Sequence, residues 1–294
     1  MLLRIAAIMA PLLAIVVIGW LYARRRRPDL RGANQLVVDL ALPALVFTSL
    51  ASREFVVAQQ APFLIGAVAV VLASGAIALP IARWAGAEPR AFLPTVMFGN
   101  VGPIGIPVTV LAFGPDGLAP ALLLLVLSNV LHFSVGAHLM SGRADLRGLL
   151  RSPLIAATAL GLLCSTLHWT LPPWLATALR LVGEILVPFM LISMGARLVD
   201  IPWSAWRIGS LGGAVAPLAR LVVAGLVVAW LPLEPVQRGA LLLFAALPPA
   251  VFNFLLADRY RRAPEAVAAM VLIGHVASLV FLPVGLALAL RAPA

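Results

Sequence analysis

A single cysteine, Cys164, sits within an apolar stretch of this chain, so neither a disulfide framework nor a thiolate metal cluster is available. Charged side chains account for only 11% of the 294 residues, too few to coat a body in water, and no connection between apolar segments is long enough to fold as a soluble domain. Acids are the scarcest charges, 11 against 21 bases, which leaves a formal net charge of +10. That excess does not point to nucleic acid, because the arginines gather at the ends of apolar segments instead of on a solvated face. The His-Glu-x-x-His and Gly-x-Ser-x-Gly patterns are also missing, and no Ser, His and acid group at one depth, which argues against an intramembrane enzyme.

What the chain does have is hydrophobic length. Apolar residues make up 63% of it and the mean hydropathy is +1.07, beyond what a water-soluble core can hide. Stretches able to cross the roughly 30 Å hydrocarbon layer lie at about residues 2–22, 33–51, 62–82, 91–113, 118–140, 153–170, 174–196, 207–230, 238–257 and 265–290. They predict an all-α membrane protein with ten transmembrane helices. With the first connection in the cytoplasm, the inside holds fifteen arginines: Arg24, Arg25, Arg26, Arg27, Arg31, Arg83, Arg90, Arg143, Arg147, Arg151, Arg197, Arg207, Arg259, Arg261 and Arg262. The outside holds four, Arg4, Arg53, Arg238 and Arg291, so the positive-inside bias places both termini on the non-cytoplasmic side. The strong charge at Arg24 to Arg27 follows the first apolar run, which reads as a retained, reversed first helix and not a signal peptide.

The most polar connection, residues 141–152, divides the chain into residues 1–140 and 153–294, with five spans in each part. Because five is odd, the second unit enters the membrane from the opposite face, and the expected organisation is two inverted five-helix repeats joined by a cytoplasmic linker. Spans four and nine, the same rank in each repeat, are interrupted at their centres by Gly99-Asn100-Val101-Gly102-Pro103-Ile104-Gly105-Ile106-Pro107 and by Leu247-Pro248-Pro249-Ala250-Val251-Phe252-Asn253. A proline removes the hydrogen bond to the carbonyl four residues earlier, and in hydrocarbon a freed backbone group survives only where protein or a wet cavity satisfies it. Beyond each interruption a half-helix begins whose amides and dipole favour an anion. Gly99 and Gly102 let backbone approach a ligand, Pro103 suits a first helical turn, and Asn100 and Asn253 supply amides that donate to a carboxylate without burying a charge. The expected substrate contacts are therefore Gly99, Asn100, Val101, Gly102, Pro103, Pro248, Pro249 and Asn253.

Ionisable groups inside apolar segments are costly and tend to face the interior or a wet path. Asp39 and Glu184 each precede a proline by one turn, Pro43 and Pro188, and are candidates for ion coupling; the alternative for Glu184 is a pair with Arg180 four residues earlier. His132 shares a helix face with Asn129 in span five, and His275 occupies span ten, so both are candidates for proton relay or for bonding a neighbouring helix. Arg220 also falls inside an apolar segment.

The two interrupted motifs, the first beginning at Phe98 and the second running on through Phe254-Leu255-Leu256-Ala257-Asp258-Arg259-Tyr260, resemble those of the auxin efflux carrier family of bacterial and plant membrane transporters. Val101 stands where that family often has Thr, Pro103 replaces a commoner bulky residue, and the long cytoplasmic loop of the plant members is missing. The resemblance implies a ten-helix fold shared with bile-acid sodium symporters: a scaffold of helices 1, 2, 6 and 7, and a mobile core of helices 3–5 and 8–10 in which the broken helices cross. It implies elevator-like transport of a small organic anion, with Asn100 and Asn253 at the crossing, in a bacterial inner membrane. No cofactor is expected beyond a coupling H+ or Na+, and the partners expected are the organic anion, the lipid bilayer and a second copy of the chain docked through the scaffold helices. An intramembrane enzyme, or a passive channel or membrane sensor on the same fold, is the alternative.

Overall fold

The structure, a computed structural model, describes residues 1–52, 57–200 and 203–291. Arg53, assigned above to the outer side, lies outside the described residues. The described residues are helical and form no strand; their one extended pairing is an isolated antiparallel bridge between Gly99 and Pro249. Among the described residues seven helices are long and apolar enough to cross a membrane by length and composition: Leu2–Arg26, Arg31–Ala51, Gln60–Trp84, Val101–Ser141, Pro173–Arg197, Trp206–Trp230 and Pro264–Ala289. The other apolar segments are shorter pieces, Pro89–Met97, Pro153–Thr166, Pro235–Ala246 and Val251–Arg259. Continuous helix thus falls short of the ten expected spans, because proline and glycine interrupt several apolar runs that a hydropathy window reads as continuous.

Those interruptions have local causes. Within Val101–Ser141 a 3-10 turn at Gly114–Gly117 redirects the chain, and Gly114 there has φ 65°, a conformation that a Cβ disfavours. Pro43 leaves the Asp39 carbonyl without its helical donor, and the helix widens into a π turn at Val37–Ala41. Pro188 does the same for Glu184, and the helix Pro173–Glu184 breaks at Ile185 before resuming as Leu186–Arg197. The start of Pro235–Ala246 is set by its own residues: Glu234 and Gln237 form a capping box and Pro235 fills the first helical position. Trp84, Trp169, Trp174, Trp206 and Trp230 are exposed near helix ends, where amphipathic rings anchor at a membrane interface.

The chain forms two compact units. The smaller comprises Ala10–Gln60 and Leu146–Val199 and is held by small residues at helix crossings. A Cβ on Gly195 or Gly19 would run into the backbone of Val16 or Ile192 respectively, and one on Gly183 would lie 3.0 Å from the Leu45 Cα. The larger comprises Met1–Met9, Ala61–Asp145 and Asp200–Ala294. Its most extensive packing joins Trp206–Trp230 to Pro264–Ala289, and a Cβ on Gly213 would stand 3.0 Å from the Gly274 backbone. Phe92, Val96, Ala216 and Met270 close one apolar cluster in this unit, and Ala91, Met140, Leu256 and Val267 a second. These clusters fix the helices that flank the interruptions, Pro89–Met97 against both long helices and Val251–Arg259 against Pro264–Ala289.

Candidate functional site

The two interruptions lie side by side inside the larger unit. After Met97 the chain leaves helical geometry and re-enters it at Val101 through a π turn, Val101–Gly105. After Ala246 it does so again and resumes at Val251. Gly99 and Pro249 pair antiparallel across the gap, the Asn100 amide donates to the Pro248 carbonyl at 2.8 Å, and the Ala250 amide donates to the Phe98 carbonyl at 2.9 Å. The Pro248 and Phe98 carbonyls, exposed by the broken helices, are thereby each satisfied by an amide of the other interruption, which is what an environment without water requires.

The expected contact residues collect around this junction. Asn100 is 4% exposed, and its Nδ2 lies 2.9 Å from Nε2 of His275. His275 Nδ1 stands 2.6 Å from the Val271 carbonyl; with its proton on Nδ1 the ring donates there and accepts from Asn100 through Nε2. Asn253, completely buried, donates from Nδ2 to the Phe98 carbonyl at 3.2 Å, giving that oxygen a second donor. Its side chain interacts with the His132 ring, but among the described residues no atom stands in full hydrogen-bond geometry to His132 Nε2 or Asn253 Oδ1. His132 is held by aromatic contacts instead, stacked on Phe98 at 4.1 Å and meeting the edge of Phe252 at 5.0 Å. Val101, Gly102, Pro248 and Pro249 are buried in the same region and Pro103 is half-buried. Gly99 is tightly constrained, since a Cβ there would strike the guanidinium of Arg220, whereas one on Gly102 would make only an ordinary contact, 3.7 Å from Leu125.

Asp39 and Glu184 belong to the smaller unit and are not part of this cluster. Asp39 is exposed in its π turn. Glu184 accepts from Arg180 Nη1 at 2.7 Å, the pairing that the i, i+4 spacing allows, and both side chains are more than half exposed, 59% for Arg180 and 55% for Glu184. A pair this open contributes little, so Glu184→Gln is expected to change unfolding stability in detergent by no more than about 0.5 kcal/mol. A thermal melt checks this, and a much larger loss would mean that a second surface covers the pair.

Two features of the site are not evident from the motifs. Phe98 and Phe252 form the pocket of His132; their positions inside the motifs signalled them only as apolar residues. Arg220, in the Trp206–Trp230 helix, reaches the junction with its Nη2 on the Leu247 carbonyl and its Nε on Ala216 O at 3.1 Å. Its isolation in an apolar run was the one sign in the sequence. Three buried side-chain atoms lack a hydrogen-bond partner among the described residues, His132 Nε2, Arg220 Nη1 and Asn253 Oδ1, and all three surround the meeting point of the interruptions.

Comparison with known proteins places the sequence among membrane transporters. A family model described as "Membrane transport protein" matches the chain twice, over residues 5–146 and 141–286. A Rhizobium meliloti protein named "Putative malonate transporter" is 26% identical over 295 residues, covering 92% of this chain and 91% of that protein. An "Uncharacterized transporter" of Methanocaldococcus jannaschii is 21% identical over 288 residues (89% and 91% of the two chains). One from Methanothermobacter thermautotrophicus is 26% identical over 270 residues (87% of each).

Proposed function

The chain belongs to the membrane transport protein family, which bears out the resemblance of its motifs to the auxin efflux carriers, and on that premise we propose that it is a secondary carrier for a small organic anion bearing a carboxylate. The observation that carries this reading is the junction of the two interruptions, where buried donors and acceptors stand without hydrogen-bond partners among the described residues. Such groups are costly in a finished core. A carrier retains them because its passenger completes them. The name of the Rhizobium relative supports a carboxylate as that passenger.

We read ten spans in the fold. Pro89–Met97 with Ile106–Phe113 forms the fourth, Leu118 to Ser141 the fifth, Pro153–Thr166 the sixth, and Pro235–Ala246 with Val251–Arg259 the ninth. The double match of the family model supports two repeats, and five spans in each invert the second. The division of the chain into two units supports a scaffold, the smaller, and a moving core, the larger, that carries the junction in an elevator-like motion. The arginine bias supports a cytoplasmic-membrane topology with both termini outside. An inside-negative potential drives a monovalent anion outward by about 2.3 kcal/mol per 100 mV, so export needs no coupling ion, while uptake would draw on H+ or Na+. His132 and His275, which sit at the junction, are then the proton-coupling candidates ahead of Asp39 and Glu184.

Counterflow tests the reading. Proteoliposomes loaded with unlabelled malonate are expected to accumulate labelled malonate transiently and saturably. A steady anion conductance without exchange between pools would identify a channel, and absence of flux for malonate, acetate and succinate alike would overturn the carrier.

A further inference from the structure

Arg220 has no exposed surface, and two of its three nitrogens are anchored on backbone carbonyls, Ala216 O and Leu247 O. The third, Nη1, has no acceptor for either hydrogen. No acid accompanies it among the described residues. In the larger unit Glu88 and Asp145 are paired with Arg262 and Arg259, Glu234 caps a helix, Asp116 lies in the Gly114–Gly117 turn, Asp258 ends one helix and Glu265 begins another. Every acid of this unit whose side chain is described therefore sits at a helix end or a turn, and Arg220, in mid-helix, is the one arginine among the described residues that is fully buried.

An unaccompanied charge in a low-dielectric interior is among the most expensive arrangements a protein can hold. Simple anchoring of Leu247 O would be met by a neutral donor at far lower cost. A guanidinium, unlike an amide, presents paired N–H groups that match a carboxylate and stays charged at all physiological pH. The free nitrogen also packs against the first motif at Gly99: a Cβ there would collide with Nη1 and stand 3.3 Å from Cζ. The absence of a side chain at position 99 thus admits the guanidinium, whose Nη1 still lacks an acceptor among the described residues.

We propose that Arg220 supplies the fixed positive charge that binds the carboxylate of the transported anion at the junction, with Gly99 leaving room for its guanidinium to reach there. The inference rests on the carrier reading and adds to it a named charge partner and a discrimination: acids are taken and their neutral amides refused.

The test compares binding of acid and amide pairs, acetate with acetamide, malonate with malonamide and succinate with succinamide, by calorimetric titration of the purified full chain in detergent. The native protein is expected to bind at least one acid about ten- to a hundredfold more tightly than its amide, the range of a charge-assisted hydrogen bond. R220Q is expected to bring that ratio close to one, and R220K, which keeps the charge and loses the fork, to retain part of it. A folded R220Q with the native ratio overturns the role of Arg220 and leaves the carrier reading standing. If R220Q does not fold, Gly99→Ala decides: its added methyl displaces the guanidinium, so the acid is expected to weaken about tenfold while the amide is unchanged, and an unaltered ratio overturns the proposal. If the native protein binds none of the acids and shows no counterflow, both the carrier reading and this inference fall.

Discussion

Asn253→Ala is expected to lower saturable malonate counterflow by about tenfold or more while costing at most about 1 kcal/mol of unfolding stability. The asymmetry follows from what the amide does in the fold. Its Nδ2 donates to the Phe98 carbonyl, but that oxygen also accepts from the Ala250 amide at 2.9 Å, so removing the side chain leaves no orphaned backbone acceptor. Its Oδ1 has no partner in full hydrogen-bond geometry among the described residues and is available to a ligand donor or to a water that accompanies one. A structural residue would show the opposite pattern, a large loss of stability and a proportionate loss of flux. Asn253→Asp sharpens the test: it keeps the shape and places a negative charge beside the anion, so flux is expected to fall further than in the alanine variant. Flux of the alanine variant within twofold of the native protein, measured at equal reconstituted amounts, would remove Asn253 from the site.

The second large effect is expected at Gly274. A Cβ there would lie 2.6 Å from the Pro249 Cδ and 3.5 Å from the Gly213 Cα, so Gly274→Val inserts three carbons where two helices and the bridged proline already touch. Overpacking of this kind costs roughly 1–3 kcal/mol, and the thermal midpoint in detergent is expected to fall on the order of 5 °C or more. Flux is expected to fall with it, because Pro249 is the residue that pairs with Gly99 and its displacement shifts the junction. Gly225 is the control on the same long helix as Gly213: beyond its own helical turn no described heavy atom lies within 4 Å of its would-be Cβ, and Gly225→Ala is expected to leave flux alone and to stabilise by up to about 1 kcal/mol through helix propensity. Equal melting of the native protein and Gly274→Val would show that the helices separate freely there.

How much of this was legible beforehand depended on the range of the interaction. The stops at Met97 and Ala246 follow from glycine and proline chemistry within a few residues, as do the π turn before Pro43 and the break at Ile185 before Pro188. Helix length was less legible. A hydropathy window passes over the 3-10 turn at Gly114–Gly117 and over each interruption, so it counts apolar runs where the chain forms shorter helices. Roles were least legible where partners are distant: Asn100 and His275 are 175 positions apart, Asn253 and Phe98 are 155, and Arg220 meets Leu247 across 27. Asp39 and Glu184 looked like His132 and His275 in sequence, as titratable groups in apolar runs, yet they fall in the other unit.

Composition, arginine placement and two proline-glycine motifs were enough to establish a helical membrane protein of a transporter family and to mark where its helices stop, because hydropathy and proline act over single residues and single turns. Which helices lie together was decided only in three dimensions. Lipid-spanning helices are apolar on every side, so their surfaces carry little signal of who packs on whom; small residues such as Gly213 and Gly274 choose the contacts, and those contacts alone bring Arg220, His132 and Asn253 around one junction.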